Sequence, residues 1–262
     1  MEKKILIIPD VHGRKFWEDI KVYSDTPIVF LGDYLDPYTS IDGITAIEAL
    51  SNFKDILNFA NEHKETVTLL YGNHDSYAFK NRNMCSCRHD WENIKEIEKL
   101  FDDNSDLFKI SHDITVNGKH FLFTHAGVNP FWVDKYKSVL GVGFNYTAEE
   151  LNNIKKEDLN CILCDISTYR GGFDMAGSLV WTDIHEHVFD IKNLNLNIDF
   201  NVPDNLVQVF GHTWLQTPIH FDCGQYEIYC LDVNKVFYLD DEGNIRYLEN
   251  NELVSTLTYS HE

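Results

Sequence analysis

The fold is decided by residues 29–36, VFLGDYLD, where an apolar run ends abruptly in a glycine and two carboxylates. Large apolar residues in a row predict a buried strand, and glycine lets the backbone turn tightly after it. Such a strand delivers Asp33 and then Asp36 to its own carboxyl end. Taken alone, a strand followed by an ordinary polar turn explains this stretch equally well.

The same pattern recurs along the chain, and its repetition favours one shared site. Each further apolar run ends in residues of the metal-ligand type: Ile5 to Ile8 before Asp10 and His12, Val67 to Tyr71 before Asn73, Phe121 to Phe123 before His125, and Val207 to Phe210 before His212. Polar residues at the carboxyl ends of buried strands are where α/β proteins place their active sites.

The order of patterns predicts an α/β (α+β) fold with two sheets packed face to face. Helical patterns at Phe16 to Tyr23 and Ile44 to Ala60 follow the first two strands as in βαβ units. The second helix has an apolar stripe that includes Ile47. We expect an irregular loop at Ser76 to Asp90, directly after the third motif.

The second half of the chain begins with the hairpin signal Asn117-Gly118. A helical region with a capping box at Thr147 and Glu150 follows, and the last quarter alternates as strands. No linker or low-complexity block interrupts the chain. We therefore expect a single domain over residues 1–262, which is long enough for a sizeable core.

Charge narrows the classes of partner. Lys and Arg total 22 against 42 Asp and Glu, a formal charge of −20, which argues against a broad nucleic-acid surface. Lys3 and Lys4 precede an apolar run too short for a signal peptide or a membrane span. We expect a cytoplasmic protein with no membrane partner.

The cysteines allow one alternative metal site. Cys85, Cys87 and His89 with Cys161 and Cys164 form a weak zinc pattern. Reduced thiols, packed or at the surface, are the favoured reading in an otherwise ordinary intracellular sequence.

The residues at the strand ends supply oxygen and imidazole nitrogen but no thiolate, a donor set suited to Mn, Fe or Zn and less to Mg. They are Asp10, His12, Asp33, Asn73, His125 and His212.

This donor set fits two divalent ions better than one. Asp10 and His12, two residues apart, can chelate one ion from the same side of an extended segment. Asn73 and the two later histidines can hold a second, with the two oxygens of Asp33 bridging both. Two such ions polarise a phosphoryl oxygen and activate water, so no side-chain nucleophile is required.

His74 and Asp36 are the candidate acid pair. His74 follows Asn73, so we expect its side chain to point away from the ligand direction at the same strand tip. A general acid must be protonated near neutral pH, and the Asp36 carboxylate favours imidazolium. A surface turn residue is the alternative reading for His74.

With these residues assembled, the chain resembles the calcineurin-like metallophosphoesterases, nearer to the phosphoprotein phosphatase branch and its bacterial and phage relatives. The motifs are DxHG at Asp10, GDxxD at Gly32, GNHD at Gly72, the lone His125, and GHT at Gly211. The resemblance implies a four-layer β-sandwich flanked by helices, a dinuclear site of the ligands above, and His74 with Asp36 as acid pair. Trp214 after GHT and the run VWTD at residues 180–183 favour that branch.

The chain also departs from the pattern. That branch usually carries an arginine where this chain has Pro37, and its bacterial members often carry one where this chain has Tyr71. Arg170 aligns with the family's remaining substrate arginine, and Arg14 can add charge, because a guanidinium fork suits a phosphoryl group. Both are candidate substrate-phosphate ligands, with surface roles as the alternative.

The sequence therefore predicts a metal-dependent phosphoester hydrolase, most specifically a serine/threonine-type phosphomonoesterase acting on a phosphoprotein or a small phosphoester. A dinucleoside polyphosphate hydrolase is the alternative within the class. A non-catalytic metal-binding or partner-binding module is the alternative outside it, but the intact ligand set with His74 argues against that.

Overall fold

The computed structural model describes residues 2–23, 25–79, 88–141, 143–190, 201–224 and 226–257. Within these residues the strands form two six-stranded sheets. The strands are β1 (Lys3–Ile8), β2 (Ile28–Phe30), β3 (Val67–Leu70), β4 (Phe108–Lys109), β5 (His112–Val116), β6 (Lys119–Phe123), β7 (Leu206–Phe210), β8 (Ile219–Asp222), β9 (Glu227–Cys230), β10 (Phe237–Asp240), β11 (Ile245–Tyr247) and β12 (Thr256–Leu257).

The described helices are mostly short. The α-helices are α1 (Thr39–Asp42), α2 (Ala46–Glu62), α3 (Ile94–Asp103), α4 (Pro130–Lys135), α5 (Lys137–Leu140), α6 (Ala148–Asn152) and α7 (Lys156–Ile162). Segments of 3-10 helix cover Phe16–Tyr23, Asn73–Phe79, Ser105–Leu107 and Thr168–Arg170, and a π-helix covers Glu186–Asp190. None of these helices is long and apolar enough to cross a membrane.

The first sheet has the order β11-β10-β1-β2-β3-β4, with β1 to β4 parallel. The second has the order β12-β8-β9-β7-β6-β5, with β6 parallel to β7 and β7 parallel to β9. Parallel neighbours place their carboxyl ends at one edge of each sheet. The strands that precede the polar motifs are therefore neighbours, three in the first sheet and two in the second.

The core lies between the sheets and on their outer faces. Alternate residues of β1 point to opposite sides. Ile5 and Ile7 pack with Phe121 of the second sheet, whereas Leu6 belongs to the cluster that contains Phe53 of α2. Because strands buried on both faces need apolar residues at every position, the motifs are preceded by continuous apolar runs rather than alternating ones.

These observations confirm the predicted fold class of two sheets flanked by helices. The hairpin turn at Asn117-Gly118 and the capping box at Thr147 form as expected. Ile47 is an exception: α2 begins only at Ala46, and Ile47 in its first turn is 72% exposed, outside the buried stripe.

The segment after the third motif also differs from the prediction. Residues 76–79, expected as irregular loop, form 3-10 helix after a kink at Asp75 within the segment that begins at Asn73. Cys85 and Cys87 of the zinc pattern lie outside the described residues. Cys161 is an exposed free thiol, and the Cys164 thiol donates to the Asn160 carbonyl at 3.1 Å.

Candidate active site and metal centre

The structure brings all of the predicted ligands together at the carboxyl ends of β1, β2, β3, β6 and β7. Every one of them is buried, although each carries a polar or ionisable side chain: Asp10, His12, Asp33, Asn73, His125 and His212. Buried groups of this kind need partners or a metal ion.

Unusual backbone conformations mark the same place. His12, Asp33, Asp36 and His212 all have positive φ, at 46°, 56°, 56° and 61°. Outside glycine this region is sparsely populated, and residues held in it cluster at functional sites. The tight turns after the strands therefore carry strain that the surrounding packing must hold.

Glycines let these turns approach each other. A Cβ on Gly72 would lie 2.1 Å from Oδ1 of Asp33, and one on Gly211 would lie 2.0 Å from Oδ1 of Asp10. Both contacts are too short, so a side chain at either position would displace the carboxylate from its place. The glycines of the GNHD and GHT motifs thus make room for carboxylates from other strands.

Asp33 lies between histidines from different sheets. Its Oδ2 is 3.5 Å from Nε2 of His12 and 3.5 Å from Nε2 of His125. Nδ1 of His12 lies 2.8 Å from the Leu35 carbonyl, and Nδ1 of His125 lies 2.8 Å from the Leu31 carbonyl. A carbonyl can only accept, so each Nδ1 carries the hydrogen, and each neutral ring presents a bare Nε2 lone pair to the same carboxylate oxygen.

A second cluster of polar atoms surrounds His125. Its Nε2 lies 2.8 Å from Oδ1 of Asn73 and 3.2 Å from Nδ1 of His212. Burial lowers the pKa of His125, which keeps the ring neutral. The Asn73 oxygen can only accept, so it and the bare Nε2 of His125 face each other with lone pairs and repel unless a cation lies between them. Nε2 of His212 is buried without a hydrogen-bond partner among the described residues.

Electrostatics also favours a bound cation. Burial, with added repulsion from Asp10 and Asp75, raises the pKa of Asp33 well above its ordinary value. Burial lowers the pKa of His12 to about 3, so that ring supplies no compensating positive charge. Divalent ions reverse such shifts by stabilising carboxylate and neutral imidazole together. The residues present therefore fit divalent metal, in two overlapping groups, His12 with Asp33 and His74, and Asp33 with His125 and His212.

His74 and Asp36 meet as predicted, with Nδ1 of His74 2.9 Å from Oδ2 of Asp36. The Tyr77 hydroxyl donates to Oδ1 of Asp36 at 2.8 Å. The expected side-chain direction of His74 was wrong, because a 3-10 helix does not alternate sides as a strand does. Its ligand atom lies within 4.8 Å of those of His12 and Asp33.

Desolvation opposes the expected imidazolium. Burial raises the pKa of Asp36 to about 7, and burial together with the Arg88 charge lowers the pKa of His74 well below its usual value. A protonated Asp36 donates to Nδ1 of His74, which leaves the ring hydrogen on Nε2. In either arrangement the pair holds a proton that His74 can pass on.

Arg170 and Arg14 both line the cavity that contains the ligands. Nη2 of Arg170 donates to the His212 carbonyl at 3.1 Å and to the Thr213 hydroxyl at 2.8 Å. Its Nε lies 2.8 Å from Oδ2 of Asp183, close enough for an ion pair but not aligned for a hydrogen bond.

Arg14 is engaged more tightly. Its Nε and Nη2 lie 3.0 and 2.9 Å from the same Asp42 oxygen.

The cavity is small and polar, with a volume of about 110 Å³. A larger groove of about 420 Å³ lies elsewhere, between residues near Phe16 and Lys235. That groove lacks the histidines and the converging carboxylates of the strand-end cavity. The site is therefore assigned from its metal-ligand residues and not from cavity volume.

A family model described as calcineurin-like phosphoesterase matches residues 3–252. The chain belongs to that family. It is a metal-dependent phosphoesterase, a hydrolytic enzyme whose substrate carries a phosphoester. No curated protein sequence matches the chain significantly.

The chain is similar to several solved structures at low sequence identity. The YfcE phosphoesterase from E. coli is 11% identical, with 96% of each chain covered and a TM-score of 0.42. A serine/threonine phosphatase from Saccharomyces cerevisiae with similarity to human PP5 is 13% identical, with 98% of this chain and 81% of that chain covered and a TM-score of 0.46. A cold-active protein tyrosine phosphatase is 14% identical, with 97% and 81% covered and a TM-score of 0.44.

Tyr71, which stands where related proteins carry an arginine, packs against other aromatic residues. Its ring stacks on Phe108 with centroids 5.0 Å apart and packs against Phe79. Tyr71 is therefore a partly buried residue that packs against the aromatic core, and it is not among the residues that line the cavity.

The sequence reasoning missed several cavity residues of this phosphoesterase. Tyr38, Arg88 and Asp232 line it with the predicted ligands. Asp232 had a readable signal, because it follows the apolar strand β9 as the other acids follow theirs. Tyr38 and Arg88 follow no apolar run, so no such signal marks them.

Proposed function

We propose that this phosphoesterase holds two divalent ions and hydrolyses phosphomonoesters of the serine/threonine type. One observation carries the dinuclear part: a single oxygen of Asp33 lies 3.5 Å from the bare Nε2 atoms of both His12 and His125. A carboxylate approached in this way by ligands from two sheets is suited to bridging two ions.

The ions would be held in two groups. Asp10 and His12 would hold one, Asn73, His125 and His212 the other, with Asp33 shared. Manganese suits this oxygen and imidazole set best, with iron, zinc or magnesium as alternatives. When bound, such ions supply polarisation of the phosphoryl group and a lower pKa for water.

Side chains of the protein would bind the phosphoryl group and supply the proton. Arg170 would hold phosphoryl oxygens through Nη1, because Nη2 contacts Thr213 and Nε lies against Asp183. Arg14 would add positive charge beside it. His74, backed by Asp36, would give its proton to the departing oxygen.

Cavity size supports a phosphomonoester. About 110 Å³ encloses a phosphoryl group with its ions but little else, well below the usual size of small-molecule pockets. The alcohol part of the substrate would then lie outside, where side chains of different shape can be tolerated.

A dinucleoside polyphosphate is the second candidate, because Trp214 lines the cavity and is 67% exposed. An aromatic face at the mouth can stack on a nucleobase.

Metal-reconstituted protein should be tested on phosphoserine and phosphothreonine peptides, aryl phosphates and diadenosine tetraphosphate. We expect release of inorganic phosphate from the peptides at the highest kcat/KM. Preference for the dinucleotide would replace the proposed substrate class with the second candidate.

A further inference from the structure

Among the described residues, three arginines line the strand-end cavity: Arg14, Arg88 and Arg170. Three described aspartates, Asp10, Asp33 and Asp232, line it with them. An incoming phosphate is itself anionic, so the donors left available by these arginines decide how it can be held.

Arg14 and Arg170 are each paired with an acid. Asp42 contacts two nitrogens of the Arg14 fork, and Asp183 lies 2.8 Å from Nε of Arg170. These carboxylates fix the two guanidinium groups and neutralise part of their charge.

Arg88 has a different environment. Its guanidinium carbon lies 3.9 Å from the centroid of the Tyr38 ring, a close cation–π stack. Nη2 donates to the backbone carbonyl of Asp36 at 2.7 Å. No carboxylate of the described residues lies within ion-pairing distance of it.

This support orients Arg88 without neutralising it. An aromatic face and one carbonyl fix the plane of the guanidinium, and no ion pair with a described residue neutralises its charge. A planar fork held in this way is suited to paired hydrogen bonds with two phosphoryl oxygens.

Tyr38 links this arginine to the metal ligands. Its ring packs edge-on against His12 with centroids 5.0 Å apart, and the Arg14 guanidinium lies 5.9 Å from its centroid. Arg88 thus stands on the same aromatic residue that contacts a candidate ligand.

We propose that Arg88, stacked on Tyr38, is a phosphate-binding residue of the active site. The inference deepens the proposed function, on which it rests in taking a phosphoryl group as the ligand. Arg88 contacts the substrate phosphate, and Tyr38 is its positioning residue.

The direct test is binding of inorganic phosphate to metal-reconstituted protein, measured by isothermal titration calorimetry. Arg88→Ala is expected to weaken phosphate binding about ten- to a hundredfold, the range for a hydrogen bond to a charged group. Arg88→Lys should lose a smaller part, because it keeps the charge but not the fork. Metal content, determined by elemental analysis, should stay at the wild-type value.

Lys95→Ala is the matched control, since it removes a positive charge from an exposed position seven residues farther along the chain. Its phosphate affinity should equal that of wild type. Tyr38→Leu removes the stacking face and is expected to weaken phosphate binding in the same direction as Arg88→Ala. If Arg88→Ala does not fold, Arg88→Lys and Tyr38→Leu decide the question.

A purely structural role makes a different prediction. If Arg88 only supports the Asp36 backbone, its variants lose turnover on alkyl phosphates while phosphate affinity is unchanged, and that result overturns the proposal. Wild-type protein that binds no phosphate also overturns it. If phosphate binding depends on Arg88 but no serine or threonine phosphate is cleaved, the proposed function fails and this inference stands.

Discussion

The carboxylate of Asp75 accepts a hydrogen bond of 2.8 Å from the backbone N–H of Asp33, the residue 42 positions earlier that faces both histidine clusters. Tyr34 and Gly72 donate their backbone N–H groups to the same carboxylate at 3.2 and 2.8 Å. One fully buried acid therefore joins the turns that follow β2 and β3. It sets the position of Asp33 without facing the cavity.

Asp75→Asn tests this relationship. An amide NH2 cannot accept from the backbone N–H groups, so a buried donor is left unpaired, and we expect a loss of about 1–3 kcal/mol in the free energy of unfolding. Urea unfolding measures that loss, with the exposed Asp55→Asn on α2 as control. Metal affinity should fall as well, because Asp33 moves. Stability and metal content equal to those of wild type would mean that the two turns keep their conformation without the Asp75 carboxylate.

The strand-end ligands were predictable because apolar runs fix strand ends, and parallel strands bring those ends together. That rule predicts the position of Asp10, Asp33 and His125. It does not predict the role of Asp75, although Asp75 stands in the quoted GNHD motif, because the partners of Asp75 lie on a distant turn. Local sequence does not encode such long-range hydrogen bonds.

Two other features of the site, the direction of the His74 side chain and the position of Arg88, were not predicted from the sequence for separate reasons. The direction of His74 was wrong because the residues after β3 form a 3-10 helix, which the turn-like sequence does not distinguish from an extended strand end. Arg88 follows residues 80–87, which have no hydrophobic periodicity, so nothing in the sequence ties it to Tyr38.

Asp33→Asn is expected to weaken both metal sites together, since one oxygen of Asp33 faces a histidine of each group. Elemental analysis of purified protein should find two divalent ions per wild-type chain and fewer than one in the variant. Excess chelator should abolish activity. A single ion at saturation in wild type, or full metal content and activity in Asp33→Asn, would overturn the dinuclear centre.

Arg170→Ala should mainly raise KM with a smaller loss of kcat, because a clamp that holds substrate and transition state alike contributes to binding. Asp183→Asn should act in the same direction but more weakly, since it releases the guanidinium without removing it. Steady-state kinetics on an aryl phosphate measures both. Unchanged constants for Arg170→Ala would assign it to the support of the His212 turn, where its Nη2 contacts lie.

The acid pair makes a prediction that depends on the leaving group. A nitrophenolate departs without a proton, whereas the alkoxide of a serine side chain does not, because its conjugate acid has a far higher pKa. His74→Asn should therefore reduce alkyl phosphate hydrolysis much more than aryl phosphate hydrolysis. General acid catalysis typically contributes about a hundred- to ten-thousandfold, so the expected difference is large. Asp36→Asn should show the same bias in milder form, because Oδ2 of Asp36 lies 2.9 Å from Nδ1 of His74 and orients the ring.

Metal content distinguishes a general-acid role of His74 from a role as metal ligand. The distinction is needed because the ring nitrogen of His74 lies within 4.8 Å of the candidate ligand atoms of His12 and Asp33. Wild-type metal content with a selective loss on alkyl phosphates identifies His74 as the acid. Equal losses on both substrates with the metal retained would mean that His74 positions water or phosphate. Loss of metal in His74→Asn would make it a ligand. His63→Asn, at the carboxyl end of α2 and outside the cavity, is the control for removing an imidazole and should leave both activities unchanged.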